Sequence, residues 1–183
     1  MKKTFLIFVG LVVVFGLGYI LVQNLNSTPT KPFSGSTQNS SHPDLSNATF
    51  TFDDGPITLS RGVSTKAIVP GSALSLETTL TDIVGYGDIN GDKKDDAVAV
   101  LVQTGGGSGV FIYLMAYVSG PLNYKGSNAV FVGDRIEPTS ISINNGTIIL
   151  KYLDRKPNEP YAAEPTVSAT KQYIYTKGTL SEK

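Results

Sequence analysis

Two uninterrupted apolar runs, separated by a cluster of glycines, constrain this chain more than any other feature. Ala97-Val-Ala-Val-Leu-Val102 has no polar residue on either alternating set, which is the pattern of a strand covered on both faces. Gly105-Gly106-Gly107-Ser108-Gly109 follows, and then Val110-Phe-Ile-Tyr-Leu-Met-Ala-Tyr-Val118, so the two runs are expected to pair across a glycine turn. Ile141 and Ile143 alternate with Ser140 and Ser142 ahead of the turn signal Asn144-Asn145-Gly146, and Thr147 to Leu153 completes a predicted hairpin. Tyr173 and Tyr175 share one strand face, with Gln172, Ile174 and Thr176 on the other. Leu74 to Val84 admits a short helix, yet Thr78-Thr79-Leu80-Thr81 favours a strand. No window of a dozen residues after Ala48 carries a 3.6-residue period with caps at both ends. The expected fold is mainly β, an antiparallel sandwich or rolled sheet of about seven to nine strands.

Upstream of that domain the chain changes character twice. After Lys2 and Lys3, Thr4 to Val22 runs 19 residues without a charge, close to the ~20 that cross a ~30 Å hydrocarbon core. It is longer than the apolar stretch of a cleavable signal peptide and ends in Tyr19-Ile20-Leu21-Val22-Gln23 without a small-residue cleavage site. Residues 1–23 are therefore expected to be an N-terminal membrane helix and anchor, with secretion as the outcome if the segment is cleaved. The two lysines precede the apolar run and no base follows until Lys31, so the N-terminus is expected in the cytoplasm and the rest outside it. Residues 24–47 are rich in Ser, Thr, Asn and Pro, the composition of a flexible linker. Residues 48–183 form the expected extracytoplasmic β domain.

Composition narrows function mainly by exclusion. The 183 residues hold 15 bases and 15 acids; Lys2 and Lys3 are two of those bases, so the exported part is slightly acidic and offers no basic footprint for nucleic acid. There is no cysteine and a single histidine, His42, which removes disulfides, thiolate metal sites and cysteine nucleophiles. With His42 in the linker, no Ser-His-Asp set is expected either. Gly105 to Gly109 lacks the Gly-Lys-Ser/Thr ending of a phosphate loop.

The strongest chemical pattern is Asp88-Ile89-Asn90-Gly91-Asp92-Lys93-Lys94-Asp95-Asp96. Oxygen side chains at relative positions 1, 3, 5 and 9, with a main-chain carbonyl at 7, are spaced so that alternate residues of a curled loop aim inward at a hard cation. The expected ligands are the side chains of Asp88, Asn90, Asp92 and Asp96 and the carbonyl of Lys94, and the expected cofactor is a structural Ca²⁺. Position 12 is Ala99, inside the apolar run, so this is not a helix-loop-helix site. Gly87 to Val100, "GDINGDKKDDAVAV", resembles the loop-then-strand calcium sites of integrin-type FG-GAP repeats, with Lys93 where those repeats carry a glycine that often turns left-handed. Only one copy is present, so the resemblance does not imply a propeller. The order of this loop, Gly106 to Gly109 with Phe111 and Tyr113, Gly133-Asp134-Arg135 and a late Pro-x-x-Pro also resembles small exported bacterial proteins, which implies location and fold more than activity.

Thr51-Phe52-Asp53-Asp54-Gly55-Pro56 resembles the first motif of polysaccharide deacetylases. That family's metal site also takes two histidines from a second motif and is built on an α/β barrel, and neither fits one histidine and a β pattern. The same letters read as a strand with Phe50 and Phe52 on one face, a turn at Asp53 to Pro56, and a second strand at Ile57-Thr58-Leu59. Asp134, Glu137, Asp154, Glu159 and Glu164 could supply paired carboxylates, and Tyr152, Tyr161, Tyr173 and Tyr175 could line a carbohydrate or peptide surface, although packing is the commoner use of such tyrosines. Arg135 and Arg155 could bind anionic groups, but are expected instead to partner Asp134 and Asp154 or to stand in solvent. The resulting expectation is a non-catalytic, calcium-binding envelope domain that meets an envelope protein or glycan, with a carboxylate glycan hydrolase as the alternative.

Overall fold

The computed structural model describes residues 42–71 and 73–183, so the apolar segment at residues 4–22 and most of the linker lie outside the described residues. Among the described residues no helix is long and apolar enough to cross a membrane. All regular structure there is β, in twelve strands: β1 (Thr49–Phe52), β2 (Gly55–Thr58), β3 (Val63–Ala67), β4 (Ser75–Gly87), β5 (Asp96–Thr104), β6 (Val110–Val118), β7 (Lys125–Gly126), β8 (Val130–Asp134), β9 (Glu137–Asn144), β10 (Thr147–Asp154), β11 (Val167–Thr176) and β12 (Thr179–Glu182). The expected seven to nine is an undercount, in part because β7 and β12 have two and four residues and are too short to show a period.

The strands form three antiparallel sheets that curl into a half barrel. The central one runs β3-β4-β5-β6-β7, with β8 also on β6, and has a four-stranded sheet, β12-β11-β10-β9, on one side and the β1-β2 hairpin on the other. Strand β5 is the shared wall. Its Val98 and Val100 enter a core with Leu114, Ile148, Leu150 and Tyr173, while Ala97, Ala99 and Leu101 point the opposite way, into a core with Phe50, Phe52, Ile57 and Met115. The continuous apolar run therefore follows from geometry: alternate residues serve two different cores. Each fully buried Leu, Val or Ile here contributes about 1.5–3 kcal/mol of transfer free energy.

Turn chemistry fixes the registers. Asn145 and Gly146, at φ +50° and +75°, close the β9-β10 hairpin in a two-residue turn. Gly105 to Gly109 connects β5 to β6, with Thr104 opposite Val110. Asp53 and Asp54 turn the β1-β2 hairpin, Phe52 pairs with Gly55, and Phe50 and Phe52 both face inward. Leu74 to Val84 lies almost wholly within β4, an extended strand with an irregularity between Leu80 and Val84.

Two close approaches join the layers. Gly85 and Gly87 of β4 pass beneath Ile141 and Ile143 of β9, and a Cβ on Gly85 would sit 2.5 Å from Ile141 Cγ2. Asn128, between β7 and β8, accepts a hydrogen bond from Leu180 N–H at 2.8 Å and donates to Leu180 O at 2.9 Å, which fastens β12. On the hairpin side, Thr51 N–H donates to Ser127 O and Ala129 N–H donates to Thr51 O. Of the residues assigned to the linker, Leu45 is buried, and Ala48 just after it donates its N–H to Leu45 O.

Candidate metal centre

The Asp88 to Asp96 loop leaves the end of β4 and enters β5, with the buried Asp96 as the first residue of that strand. Its side-chain oxygens turn inward onto the loop's own main chain. Asp88 Oδ1 accepts from the N–H groups of Asn90 (3.2 Å) and Gly91 (2.6 Å), and its Oδ2 accepts from Lys93 N–H at 2.8 Å. Asn90 Oδ1 accepts from Asp92 N–H and Asp92 Oδ1 from Lys94 N–H, both at 2.9 Å. This is the local side-chain-to-backbone bonding by which Asp and Asn hold tight turns. Gly91 at φ +84° and Lys93 at φ +65° both take the left-handed conformation. The expected strain at Lys93 is thus present, since a non-glycine residue there costs on the order of 1 kcal/mol.

Of the five expected ligands, three sit together and one is put to another use. Asp88, Asn90 and Asp92 share the curled part of the loop. Asp96 lies beneath it, fully buried, accepting from Ile89 N–H through Oδ2 (2.9 Å) and from Ser119 N–H through Oδ1 (2.7 Å). Lys94 is exposed and its Nζ reaches Gly120 O at 3.4 Å. Among the described residues, no three His, Asp or Glu side chains converge as a metal-holding group. The donor set is nonetheless chemically suited to a hard cation, being all oxygen and acid-rich, and the carboxylate oxygens other than Asp88 Oδ1, which accepts twice, keep a lone pair beyond their hydrogen bond.

Ser119, immediately after β6, is the residue that sequence reasoning missed. Its hydroxyl donates to Asp92 Oδ2 at 2.6 Å, its carbonyl accepts from Asn90 Nδ2 at 3.0 Å, and its N–H meets Asp96. One buried serine thereby fastens three of the five candidate ligands to the end of the neighbouring strand. Nothing around it, in Val118-Ser119-Gly120-Pro121, distinguishes it from an ordinary strand end.

The electrostatics follow from this wiring. The Lys93 N–H, then those of Gly91 and Asn90, hold the Asp88 carboxyl below its ordinary pKa, and the Ser119 hydroxyl, then the Lys94 N–H, do the same for Asp92. Burial first, and then the charges of Asp96, Asp92 and Asp95, push the Tyr124 phenol up, while its hydroxyl donates to Asp95 O. The single histidine also reaches the loop. His42 stacks on Tyr86 with ring centroids 3.9 Å apart, and its Nδ1 lies 3.4 Å from Asp95 Oδ2 without hydrogen-bond alignment.

The other sequence candidates have structural duties. Arg135 pairs with Asp134 at 3.1 Å and donates to Ser108 O. Arg155 instead turns its guanidinium to the carbonyls of Ala163 and Arg135, and only its N–H meets the Asp154 carboxylate. Both guanidinium groups lie over the ring of Tyr161, at 5.1 and 5.9 Å. Tyr152 and Tyr173 are core residues. Comparison with known proteins finds no matching family model, curated protein or solved structure.

Proposed function

We propose that this chain is a membrane-anchored extracytoplasmic β domain whose Asp88 to Asp96 loop takes Ca²⁺ as a structural staple, and that its role at the cell envelope is binding or structural. The observation that carries this reading is the inward alternation of Asp88, Asn90 and Asp92 in a loop that already turns left-handed at Gly91 and Lys93. Asp88, Asn90, Asp92 and the Lys94 carbonyl would hold the ion, with Asp96 and Ser119 as the struts that keep the loop seated on β5 and β6. Bound calcium would supply positive charge among carboxylates that otherwise repel one another, coupling the stability of the domain to external calcium. The anchor rests on the uncharged run from Thr4 to Val22.

The test is thermal unfolding of the full-length chain in non-ionic detergent, in EDTA and in millimolar Ca²⁺. Saturation at 100 times Kd would add about 2.7 kcal/mol, a rise of several degrees, and Asp88→Ala and Asp92→Ala should abolish the response. An unfolding temperature indifferent to calcium would remove the cofactor. Calcium-independent release of reducing ends from envelope glycan would point instead to the carboxylate hydrolase.

A further inference from the structure

A second site lies on the opposite side of β5, where the β1-β2 hairpin stops short of covering the central sheet. The hairpin roofs Ala97, Ala99, Leu101 and Met115, but its turn ends above Tyr113, leaving Phe111 and Phe131 substantially exposed. The result is a cleft of about 410 Å³ between Phe52, Tyr113 and Phe131, with Asp53, Asp54 and Gln103 in its lining. That volume is in the ~300–1,000 Å³ range of small-molecule sites. The rings are set edge to face: Phe52 on Tyr113 at 5.0 Å, and Tyr113 on Phe131 at 5.6 Å.

The polar groups in this cleft present acceptors with few protein donors. Asp53 makes no hydrogen bond or ion pair among the described residues. Asp54 has only a loose contact with Lys66, 3.6 Å away with both side chains more than half exposed. Gln103 is more than nine-tenths buried and spends its Nε2 on Thr78 Oγ1 at 3.2 Å, while its carbonyl oxygen takes no partner among the described residues. Aromatic faces attract cations, carboxylates attract them further, and an unused carbonyl oxygen facing a cleft can accept an N–H. The Tyr113 phenol feels the same field, being pushed up by burial and then by Asp53 and Asp54.

We propose that this cleft binds a small primary ammonium cation, its N–H groups donating to Asp53 and Gln103 and its alkyl body lying against Phe131 and Tyr113. The proposal is independent of the calcium loop, none of whose candidate ligands lines the cleft. The test is titration of the full-length chain in non-ionic detergent with n-butylammonium chloride, and with n-butanol as the uncharged counterpart of equal shape, followed by amide chemical shifts. Saturable shifts at Asp53, Gln103 and Tyr113 are expected with butylammonium and not with butanol. Asp53→Asn and Phe131→Ala should each weaken binding about threefold or more, with amides in β10 and β11 unmoved to show that both variants fold. Equal response to butanol would reduce the cleft to an apolar patch and overturn the proposal, as would shifts that survive both substitutions or no shift at all.

Discussion

Asp96 shows that a residue at a ligand-like spacing can also hold the loop to its neighbours. Its carboxylate is fully buried and accepts the N–H groups of Ile89 and Ser119, so Asp96→Ala strands two buried donors. Hydrogen bonds to a charged group contribute about 1.5–3 kcal/mol each, so a loss of about 3 kcal/mol or more is expected, read as a lowered urea midpoint. Asp96→Asn keeps one acceptor oxygen and should lose about half as much. Asp88 and Asp92 behave differently because they sit at the surface of the loop and their pKa values are lowered by hydrogen bonds. A carboxyl with a depressed folded pKa stabilises the native state above its unfolded value and loses that contribution as pH falls through the folded one. Thermal unfolding should therefore be flat above about pH 5 and fall steeply below about pH 4, less steeply in Asp88→Asn. Spacing alone could place these residues on a loop, but it could not tell Asp96 from its neighbours, because Ser119 meets it from 23 residues away.

At the scale of elements, the chain was legible wherever a local signal fixed a turn or a period, and opaque wherever a contact crossed layers. Asn145-Gly146, the two-faced β5 and the Asp53-Asp54 turn all read correctly, since each depends on residues within one hairpin. The close packing at Gly85 and Gly87 left no local signal, because Ile141 and Ile143, which require glycine there, lie more than 50 residues on. Gly85→Ala should cost about 1–3 kcal/mol through overpacking, and Ile141→Ala in the same chain should recover part of that loss, a coupling measurable in a double-mutant cycle. Phe52 and Phe131 are equally remote in sequence, which is why the cleft between them left no pattern. Asn128 offers a test confined to one strand. Asn128→Ala removes both of its hydrogen bonds to Leu180 and should cost about 1–2 kcal/mol. Hydrogen exchange at Leu180 should accelerate well before that of the β10 amides.

At the scale of the whole molecule, the described residues form two cores built on one strand, and that arrangement predicts how the domain fails. Leu101 and Leu150 are both fully buried, one on β5 beneath the β1-β2 hairpin and the other on β10 of the four-stranded sheet, in the core it shares with β5. Truncating either to alanine should cost about 2–5 kcal/mol. If β5 couples the layers, each truncation lowers a single transition, and amide exchange in β2 and in β11 accelerates by the same factor whichever core was cut. Both cores need β5 extended and paired with β4 and β6, so neither should persist once that strand is lost. The opposite pattern would be β2 amides exchanging rapidly in Leu101→Ala while β11 stays fully protected. That would make the hairpin a separately opening flap, and the cleft at its turn would then open and close with it.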